Sequence, residues 1–288
     1  MTTETSKSLQ IKNDEEQAFD TLLAYIHRER GIDFNQYKRS FLRRRLIVRK
    51  RARGVDTYQA YQDILRSDSS EFDALLNALR INVSYFFRNQ AAFDALRKEV
   101  VIPLIKQRDQ DRQRRLAVWS AGCAGGEEPY SIAIMLTDLL GSQFPRWNIR
   151  IYATDIDAGA LVKARKGIYK PASFRNLKAD FVSQYFSKQE GQYVLHPYIC
   201  KMVSFRQRAL SDPATLSQYD LILCRNVLIY YSSDHQKRII QLLFGQLKMG
   251  GCLMLGMAEM LPQSFCNKLE AVNGRLRIFR KPTGQEVL

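Results

Sequence analysis

An apolar run, a glycine-rich loop and an acid-rich helix start follow one another between residues 116 and 136. The run Leu116–Trp119 predicts a buried strand. After the loop at 120–126, the segment Glu127–Pro129 marks a first helical turn, where acids and proline are favoured. This order is typical of nucleotide-type sites, because glycines permit close backbone approach and free N–H groups at a helix start attract anions.

The loop itself departs from the common phosphate-binding patterns. It contains Gly122, Gly125 and Gly126, but it is not GxGxxG and it lacks the lysine of a P-loop. Taken alone, it could be only a tight turn between a strand and a helix.

The next segment favours a ligand site. Ile149–Thr154 predicts a second strand, and Asp155 follows it, where an acid can bind ribose hydroxyls. Asp155 or Asp157 could instead cap the helix at 158–164, and one acid could serve each role. Two glutamates beside a ribose-binding acid suit a ligand with a cationic amine better than a pyrophosphate. S-adenosylmethionine, with its ammonium and sulfonium groups, is such a ligand.

Five separated segments then resemble one family, the chemotaxis receptor methyltransferases or CheR proteins. The segments are NVSYFFR (82–88), AGGEEPYSIAI (124–134), ATDIDAGALVKARKGIY (153–169), YDLILCRNVLIYY (219–231) and LKMGGCLMLGMAEML (247–261). The resemblance covers nearly the whole chain, in order. It implies S-adenosylmethionine as cofactor, S-adenosylhomocysteine as product, and methyl transfer to glutamate carboxylates of chemoreceptors.

We therefore predict an α/β fold: a Rossmann-like class I methyltransferase domain with a small antiparallel β insertion, preceded by a small all-α domain. The expected boundaries are 1–80 for the helical domain, 81–115 for a linker and connecting helix, and 116–288 for the methyltransferase domain. The insertion is expected at about 168–206, where apolar and polar residues alternate. Residues 1 to about 12 are expected to be disordered. Asn273-Gly274 predicts a hairpin with a type I′ turn.

Composition points to an acidic partner. The formal net charge is +15 over 288 residues, which favours nucleic acid, anionic membrane or an acidic protein surface. No apolar run reaches the roughly 18 residues that a membrane span needs. The five cysteines show no C-x-x-C pairing, so we expect reduced thiols in a cytoplasmic protein.

The densest charge lies on a helix predicted at about 35–52. No acid occurs from Lys38 to Arg53, and Arg39, Arg43 and Lys50 fall on one stripe at helical spacing. A solvated helix face would explain such a run, but one-sided charge more often meets an anionic partner. We expect this stripe to recognise the acidic methylation segment of a receptor's helical bundle.

The resemblance also implies the site residues. The expected cofactor-binding residues are Asn82, Ser84, Arg88, Glu127, Asp155, Ala209, Leu210, Arg225 and Asn226. Ala209 stands where the family often has asparagine, so only a backbone contact is expected there. Arg88 and Tyr230 are expected to orient the attacking carboxylate beside the methyl group. A glutamate carboxylate is ionised at pH 7 and needs no general base. We predict no metal site.

Two other functions stay open at this point. An RNA methyltransferase could place the basic helix on phosphates, and Cys224 could suggest a nucleophilic cytosine methyltransferase. An apolar strand end is a poor place to activate a thiol, however. A non-catalytic receptor adaptor is the other alternative.

We expect a monomer with no nucleic-acid partner and no membrane insertion. The shortened β insertion does not favour docking of a receptor's C-terminal pentapeptide.

Overall fold

The computed structural model describes residues 2–31, 33–79, 84–175, 177–212 and 218–284, with side chains left out at 2–9, 11 and 12. The chain divides into two compact units. The first is Met1–Ile81 with Tyr230–His235, and the second is Asn82–Ile229 with Gln236–Leu288. The segment Tyr230–His235 belongs to the helical unit although it lies far away in sequence, which the sequence pattern did not indicate.

The first unit is built from α-helices around one apolar core. Its described helices are α1 Thr2–Arg30, α2 Arg39–Ala52, α3 Tyr58–Ser67 and α4 Ser69–Leu79, with a 3-10 helix at Phe34–Gln36. The helical spacing of Phe19, Leu22 and Ile26 puts these side chains on one face of α1, and each is fully buried. This confirms the all-α unit.

The helix α1 begins earlier than the sequence suggested. Its described backbone is helical from Thr2, so the expected disorder of residues 1 to about 12 is wrong for that segment. No glycine or proline occurs from Thr2 to Arg30, and neither of the two residues with the poorest helix propensity therefore interrupts it.

The second unit is built on a seven-stranded sheet. Its strands are β1 Arg115–Ala121, β2 Asn148–Asp155, β6 Val203–Gln207, β7 Tyr219–Cys224, β8 Leu247–Leu255, β9 Glu270–Asn273 and β10 Ile278–Arg280. The order is β6-β2-β1-β7-β8-β10-β9. The first five strands in this order pair in parallel, and β10 pairs antiparallel with both β8 and β9. This is the predicted methyltransferase form of the Rossmann fold.

The chain has further described helices from Gln90 onward. They are α5 Gln90–Ala95, a π-helix Leu96–Val101, α6 Ile102–Gln110, α7 Glu127–Leu140, α8 Ala158–Lys166, α9 Ala179–Tyr185, α10 Pro197–Cys200 and α11 Ser233–Gln246. Short 3-10 helices lie at Gly141–Arg146, Pro171–Phe174, Leu228–Tyr230 and Gln263–Phe265. The helix that follows the glycine loop is central to the core, since Ile132, Ala133 and Ile134 are fully buried.

A small antiparallel sheet is inserted between α8 and β6. It contains β3 Ile168–Tyr169, β4 Phe186–Gln189 and β5 Gln192–Leu195 in the order β3-β5-β4. This confirms the antiparallel insertion. The alternating pattern is extended only in part, because the segments 179–185 and 197–200 within it are helical.

The hairpin of β9 and β10 has a wider turn than predicted. The loop between them is 274–277, and Arg277 rather than Gly274 has a positive φ, of 59°. The Asn273 side-chain oxygen accepts the Leu276 N–H at 3.1 Å. The prediction of a type I′ turn is therefore wrong, because the asparagine side chain organises a longer loop.

The basic stripe of α2 has acidic partners inside the protein. Arg39 contacts Glu16 at 2.9 Å and Asp20 at 2.6 Å, and Arg43 also pairs with Glu16. Both acids lie on α1, which the tertiary fold places beside α2. The sequence places no acid near the stripe of Arg39, Arg43 and Lys50, but acids distant in sequence compensate the two arginines.

Lys50 is not a surface residue either. It is only 6% exposed, and its ammonium group donates to the Asp56 carbonyl at 2.7 Å. The same ammonium lies 3.9 Å from the centre of the Tyr58 ring. Lys50 therefore belongs to the interior of the helical unit.

Another face of α2 is also exposed to solvent. Arg44 and Arg51 are exposed there, together with Ile47 at 37% and Val48 at 56% exposure. Neither arginine has a carboxylate partner among the described residues. We call these four residues the α2 outer face.

The structure bears on membrane spans and on the state of the cysteines. No helix among the described residues is both long and apolar enough to cross a bilayer. The five cysteines form no disulfide; three of them are buried, Cys200 is half-buried and Cys266 is exposed.

One buried carboxylate joins three of the helices in the first unit. Glu71 of α4 is 1% exposed; it accepts two hydrogen bonds from Arg49 of α2, at 2.9 and 2.6 Å, and one from Tyr61 of α3 at 2.6 Å. Burial opposes ionisation of Glu71, but the Arg49 and Tyr61 hydrogen bonds and the Arg49 charge outweigh burial and lower its pKa.

Glu71→Ala should lower the free energy of unfolding by about 3–5 kcal/mol, because it leaves the Arg49 charge without its partner. The pKa of Glu71 is lower in the folded than in the unfolded protein. The stabilisation that ionised Glu71 provides is therefore complete above about pH 4.3, the usual glutamate pKa. It is lost as the pH falls through the pKa of Glu71 in the folded protein. Urea unfolding followed by circular dichroism at neutral and acidic pH measures both effects. The matched control is Asp73→Ala on the same helix. Equal effects of the two substitutions would contradict the proposed role of Glu71.

Candidate functional site

The glycine loop is fastened to the end of β2 by backbone hydrogen bonds. The Thr154 carbonyl accepts the N–H groups of Gly122 at 2.8 Å and Cys123 at 3.0 Å. One carboxylate oxygen of Asp155 accepts the Ala124 N–H at 2.8 Å. The loop therefore lies at the carboxyl edge of the parallel strands, which is where ligands of open α/β sheets bind.

The two aspartates after β2 have separate tasks. Asp157 caps α8, because one of its oxygens accepts the N–H groups of Gly159 at 2.8 Å and Ala160 at 3.2 Å. Asp155 accepts the Ala124 N–H and, with its other oxygen, the Asp157 N–H at 2.9 Å. Burial raises the pKa of Asp155 even though these N–H groups favour its ionised form. Its role in ribose binding stays a prediction.

Glu127 carries the feature that points most directly to a ligand. It is 8% exposed at the start of α7, and its Oε2 atom is buried with no hydrogen-bond partner among the described residues. A Cβ added to Gly125 would lie 2.8 Å from that oxygen, so any side chain at position 125 would force this carboxylate to move. Burial raises the pKa of Glu127, and a hydrogen bond with Ser84 acts in the opposite direction. Two predicted site residues, Ser84 and Glu127, are thus brought together.

The second glutamate of the loop has protein partners instead. Glu128 accepts the Ser120 hydroxyl at 2.8 Å and pairs with Arg225 at 3.3 Å. The Arg225 guanidinium also donates to the Arg88 carbonyl at 2.7 Å. Arg225 is 6% exposed, so its guanidinium ties the segment near Arg88 to the ends of β1 and β7. Its expected contact with the cofactor stays a prediction.

Asn226 occupies a special backbone position after β7. Its φ is 61°, in the left-handed region that asparagine tolerates better than most residues. The three N–H groups of Asn226, Val227 and Leu228 all point at the carboxylate of Glu259, which also accepts the Gly256 N–H, at distances from 2.5 to 3.0 Å.

Glu259 is a residue that the sequence reasoning did not single out. It is 2% exposed, and burial raises its pKa although four backbone N–H groups favour the carboxylate. A Cβ on Gly256 would lie 2.7 Å both from the Asn226 nitrogen and from a Glu259 oxygen. The only sequence signal was its place in one of the segments that carried the family resemblance. Glu259 acts through hydrogen bonds with residues up to 33 positions away in the sequence.

The remaining predicted cofactor residues follow β6. The Arg208 N–H donates to the Asp155 carbonyl at 2.9 Å, which places Ala209 and the buried Leu210 beside the end of β2. Asn82 lies outside the described residues.

Tyr230 belongs to the helical unit, whereas Arg88 belongs to the unit with the large sheet. The Tyr230 carbonyl accepts the Lys38 N–H at 2.9 Å, and its ring centre lies 5.0 Å from that of Phe41. The catalytic roles of Arg88 and Tyr230 stay predictions.

Cys224 is fully buried at the end of β7. Burial, together with the nearby charges of Glu259 and Glu128, raises the pKa of this thiol well above its usual value. The neutral thiol is therefore favoured, which argues against a nucleophilic cysteine and the corresponding RNA chemistry.

The residues at this edge fit S-adenosylmethionine. A buried carboxylate oxygen without a partner suits the ammonium group of the amino-acid end. Asp155 lies at the carboxyl edge of the parallel strands, where an acid can bind ribose hydroxyls.

Comparisons with known proteins agree with this geometry. Residues 82–278 match the sequence family described as "CheR methyltransferase, SAM binding domain", and residues 17–79 match "CheR methyltransferase, all-alpha domain". The chain belongs to the CheR methyltransferase family. It is therefore an enzyme of the methyltransferase class, with S-adenosylmethionine as its cofactor.

Individual relatives match over most of their length. Chemotaxis protein methyltransferase 2 of Vibrio cholerae serotype O1 is 34% identical over 266 residues, covering 90% of this chain and 89% of the relative. The chemotaxis protein methyltransferase of Salmonella typhimurium is 33% identical, with 84% and 83% covered. That of Listeria innocua is 32% identical, with 82% and 87% covered.

Glu127→Gln should weaken S-adenosylmethionine binding by about 1–3 kcal/mol, because it removes the charged partner of the ammonium. The same substitution should raise the free energy of unfolding of the cofactor-free CheR protein at neutral pH. The pKa of Glu127 is higher in the folded protein than in the unfolded protein. Burial of its charge therefore destabilises the fold fully at pH values above the folded pKa, and this cost disappears below the unfolded pKa of about 4.3.

Isothermal titration and urea unfolding check the two effects. Glu190→Gln, at an exposed turn, is the matched control. Cofactor affinity equal to wild type in Glu127→Gln would remove Glu127 from the site.

Glu259→Gln should reduce both turnover and the free energy of unfolding. The amide nitrogen cannot accept the N–H groups now held by one carboxylate oxygen, and each buried group left unpaired costs about 1–3 kcal/mol. Methyltransferase assays and urea unfolding are the measurements, with the exposed Glu270→Gln as control. If Glu259→Gln matched that control, the carboxylate would not be what holds the loop at 226–228.

Proposed function

We propose that this CheR protein transfers the methyl group of S-adenosylmethionine to glutamate side-chain carboxylates of chemoreceptors. The products are glutamate methyl esters and S-adenosylhomocysteine. The structural observation that supports this most strongly is the buried Glu127 oxygen without a partner, in a loop whose Gly125 leaves space for it. The names of the relatives support the chemotactic substrate.

The chain's own residues mainly hold and orient the reactants. Bound S-adenosylmethionine supplies a methyl group already activated on a sulfonium. Glu127 is proposed to hold the ammonium, and Asp155 the ribose. Arg88 is proposed to receive the substrate carboxylate, since an arginine fork matches two carboxylate oxygens. Positioning of this kind accounts for much of the rate when no proton has to be removed.

A labelled-methyl assay tests the function. Membranes that contain chemoreceptors and total RNA are incubated separately with the protein and methyl-labelled cofactor. We expect label in the membrane protein, released as methanol by mild alkali because carboxylate methyl esters hydrolyse there. Alkali-stable label in RNA would overturn the proposal. No transfer to either, with normal cofactor binding, would favour the adaptor alternative.

Receptor recognition is proposed to use the α2 outer face. Arg44 and Arg51 bring two positive charges without described carboxylate partners, and the exposed side chains of Ile47 and Val48 provide apolar contact between them. This replaces the stripe of Arg39, Arg43 and Lys50, whose charges are engaged within the helical unit. The proposed partner is the acidic methylation segment of the receptor's cytoplasmic helical bundle.

Arg88→Ala and Tyr230→Phe should each lower turnover more than cofactor affinity, if both residues act on the carboxylate and the methyl group. Steady-state kinetics at saturating receptor, together with isothermal titration of cofactor, separate the two quantities. Tyr231→Phe, the adjacent tyrosine, is the control for Tyr230→Phe. A variant with wild-type turnover at saturation would lose its proposed catalytic role.

Arg44→Gln/Arg51→Gln should raise the apparent KM for receptor and flatten its salt dependence, while cofactor affinity stays the same. Long-range attraction acts mainly on encounter and register. It is screened as the Debye length falls from about 10 Å at 0.1 M salt to about 3 Å at 1 M.

The matched control is Arg28→Gln/Arg66→Gln. It removes two exposed charges from other helices of the same unit, where each charge already has a near neighbour of opposite sign. Equal shifts in KM for the two double variants would show that only net charge matters and that the α2 outer face has no special role.

A further inference from the structure

A basic cavity lies at the edge of the large sheet opposite to the cofactor residues. It has a volume of about 320 Å³ and lies where β1 and β2 begin. Its polar lining side chains are Arg115, Asn148, Arg150, Tyr152, Gln218 and Lys248. The strand β1 runs from this cavity to the glycine loop, a span of about 20 Å at the usual rise per residue. The cavity is therefore distinct from the site described above.

Two arginines approach each other on one face of the sheet. The parallel register pairs Arg115 with Asn148 and Ala117 with Arg150, so Arg115 and Arg150 are diagonal neighbours on the same face. Both are exposed, and neither has a carboxylate partner among the described residues. Like charges at this spacing repel each other. An anion between them would convert that repulsion into attraction.

The third cation is held in place by a buried acid. The Lys248 ammonium lies 2.9 Å from Asp220, which also pairs with Arg108 at 2.7 Å and accepts the Ala117 N–H at 2.9 Å. Asp220 is 2% exposed. One carboxylate thus serves two cations, so it fixes the position of Lys248 and leaves an excess of positive charge at the cavity wall.

The lining chemistry indicates which anion fits. Arginine forks match the oxygens of phosphate groups, and Asn148, Gln218 and Tyr152 add neutral hydrogen-bonding groups. The cavity is at the lower end of the volumes that enclose small ligands, about 300–1,000 Å³. No carboxylate lines it within the described part of the chain.

We propose that this cavity binds a small phosphorylated molecule with at least two negative charges, such as one that carries a diphosphate group. Arg115 and Arg150 grip the phosphate oxygens, and Lys248 completes the positive wall. The site is independent of methyl transfer, because none of these side chains reaches the glycine loop.

Isothermal titration of pyrophosphate into the full chain tests the proposal. The protein is first saturated with S-adenosylhomocysteine, so that no probe can enter the cofactor site, and the titration is done at low ionic strength. We expect saturable binding of pyrophosphate, with weaker binding of inorganic phosphate. Arg115→Gln/Arg150→Gln should weaken pyrophosphate binding by about tenfold or more, since both charged forks are lost.

The matched control is Arg238→Gln/Arg275→Gln, which removes two exposed arginines from α11 and from the β9–β10 turn. It should bind pyrophosphate like wild type. Retained affinity for S-adenosylhomocysteine shows that both double variants are folded. The proposal is overturned if wild type does not bind pyrophosphate, if the two double variants lose equal affinity, or if a hexaglutamate peptide binds more tightly than pyrophosphate, which would indicate an acidic protein partner.

Discussion

Besides the helix-capping Asp157, four acidic side chains lie at the carboxyl edge of the large sheet, and the groups that compensate each negative charge determine what this edge can bind. Asp155 and Glu259 are balanced by backbone N–H groups, and Glu128 by Arg225 and Ser120. Glu127 alone among them has a buried oxygen without a partner in the described structure. A buried carboxylate oxygen without a partner costs free energy, and a bound cationic group removes that cost. The site is thus built to gain most from a ligand with an ammonium group.

The three balanced carboxylates give the site its shape. Asp155 holds the glycine loop to the end of β2. Glu259 holds the loop after β7 through three N–H groups and also accepts the Gly256 N–H after β8. Backbone N–H groups favour a carboxylate without bringing a competing charge, so these acids can stay buried while the surface that faces the ligand remains open.

In the helical unit, side-chain carboxylates from neighbouring helices compensate part of the positive charge. The run from Lys38 to Arg53 contains no acid, yet Glu16, Asp20 and Glu71 from neighbouring helices pair with four of its arginines. Two further arginines of the run, Arg44 and Arg51, are exposed on the α2 outer face. Positive charge in this unit is therefore partly compensated where helices meet, and it remains exposed on the α2 outer face.

The sequence by itself determined the fold class, the strand–loop–helix frame and the cofactor. Apolar periodicity depends on residues close in sequence, and the five segments with family resemblance are likewise local patterns that can be recognised without the fold. The tertiary structure decided which charges remain available. It gave Arg39 and Arg43 acidic partners on α1, buried Lys50, and moved the exposed cations to Arg44 and Arg51. It also gave Glu259 its role, through N–H groups that lie about thirty residues away. Such pairings depend on packing between distant segments, and no local pattern encodes them.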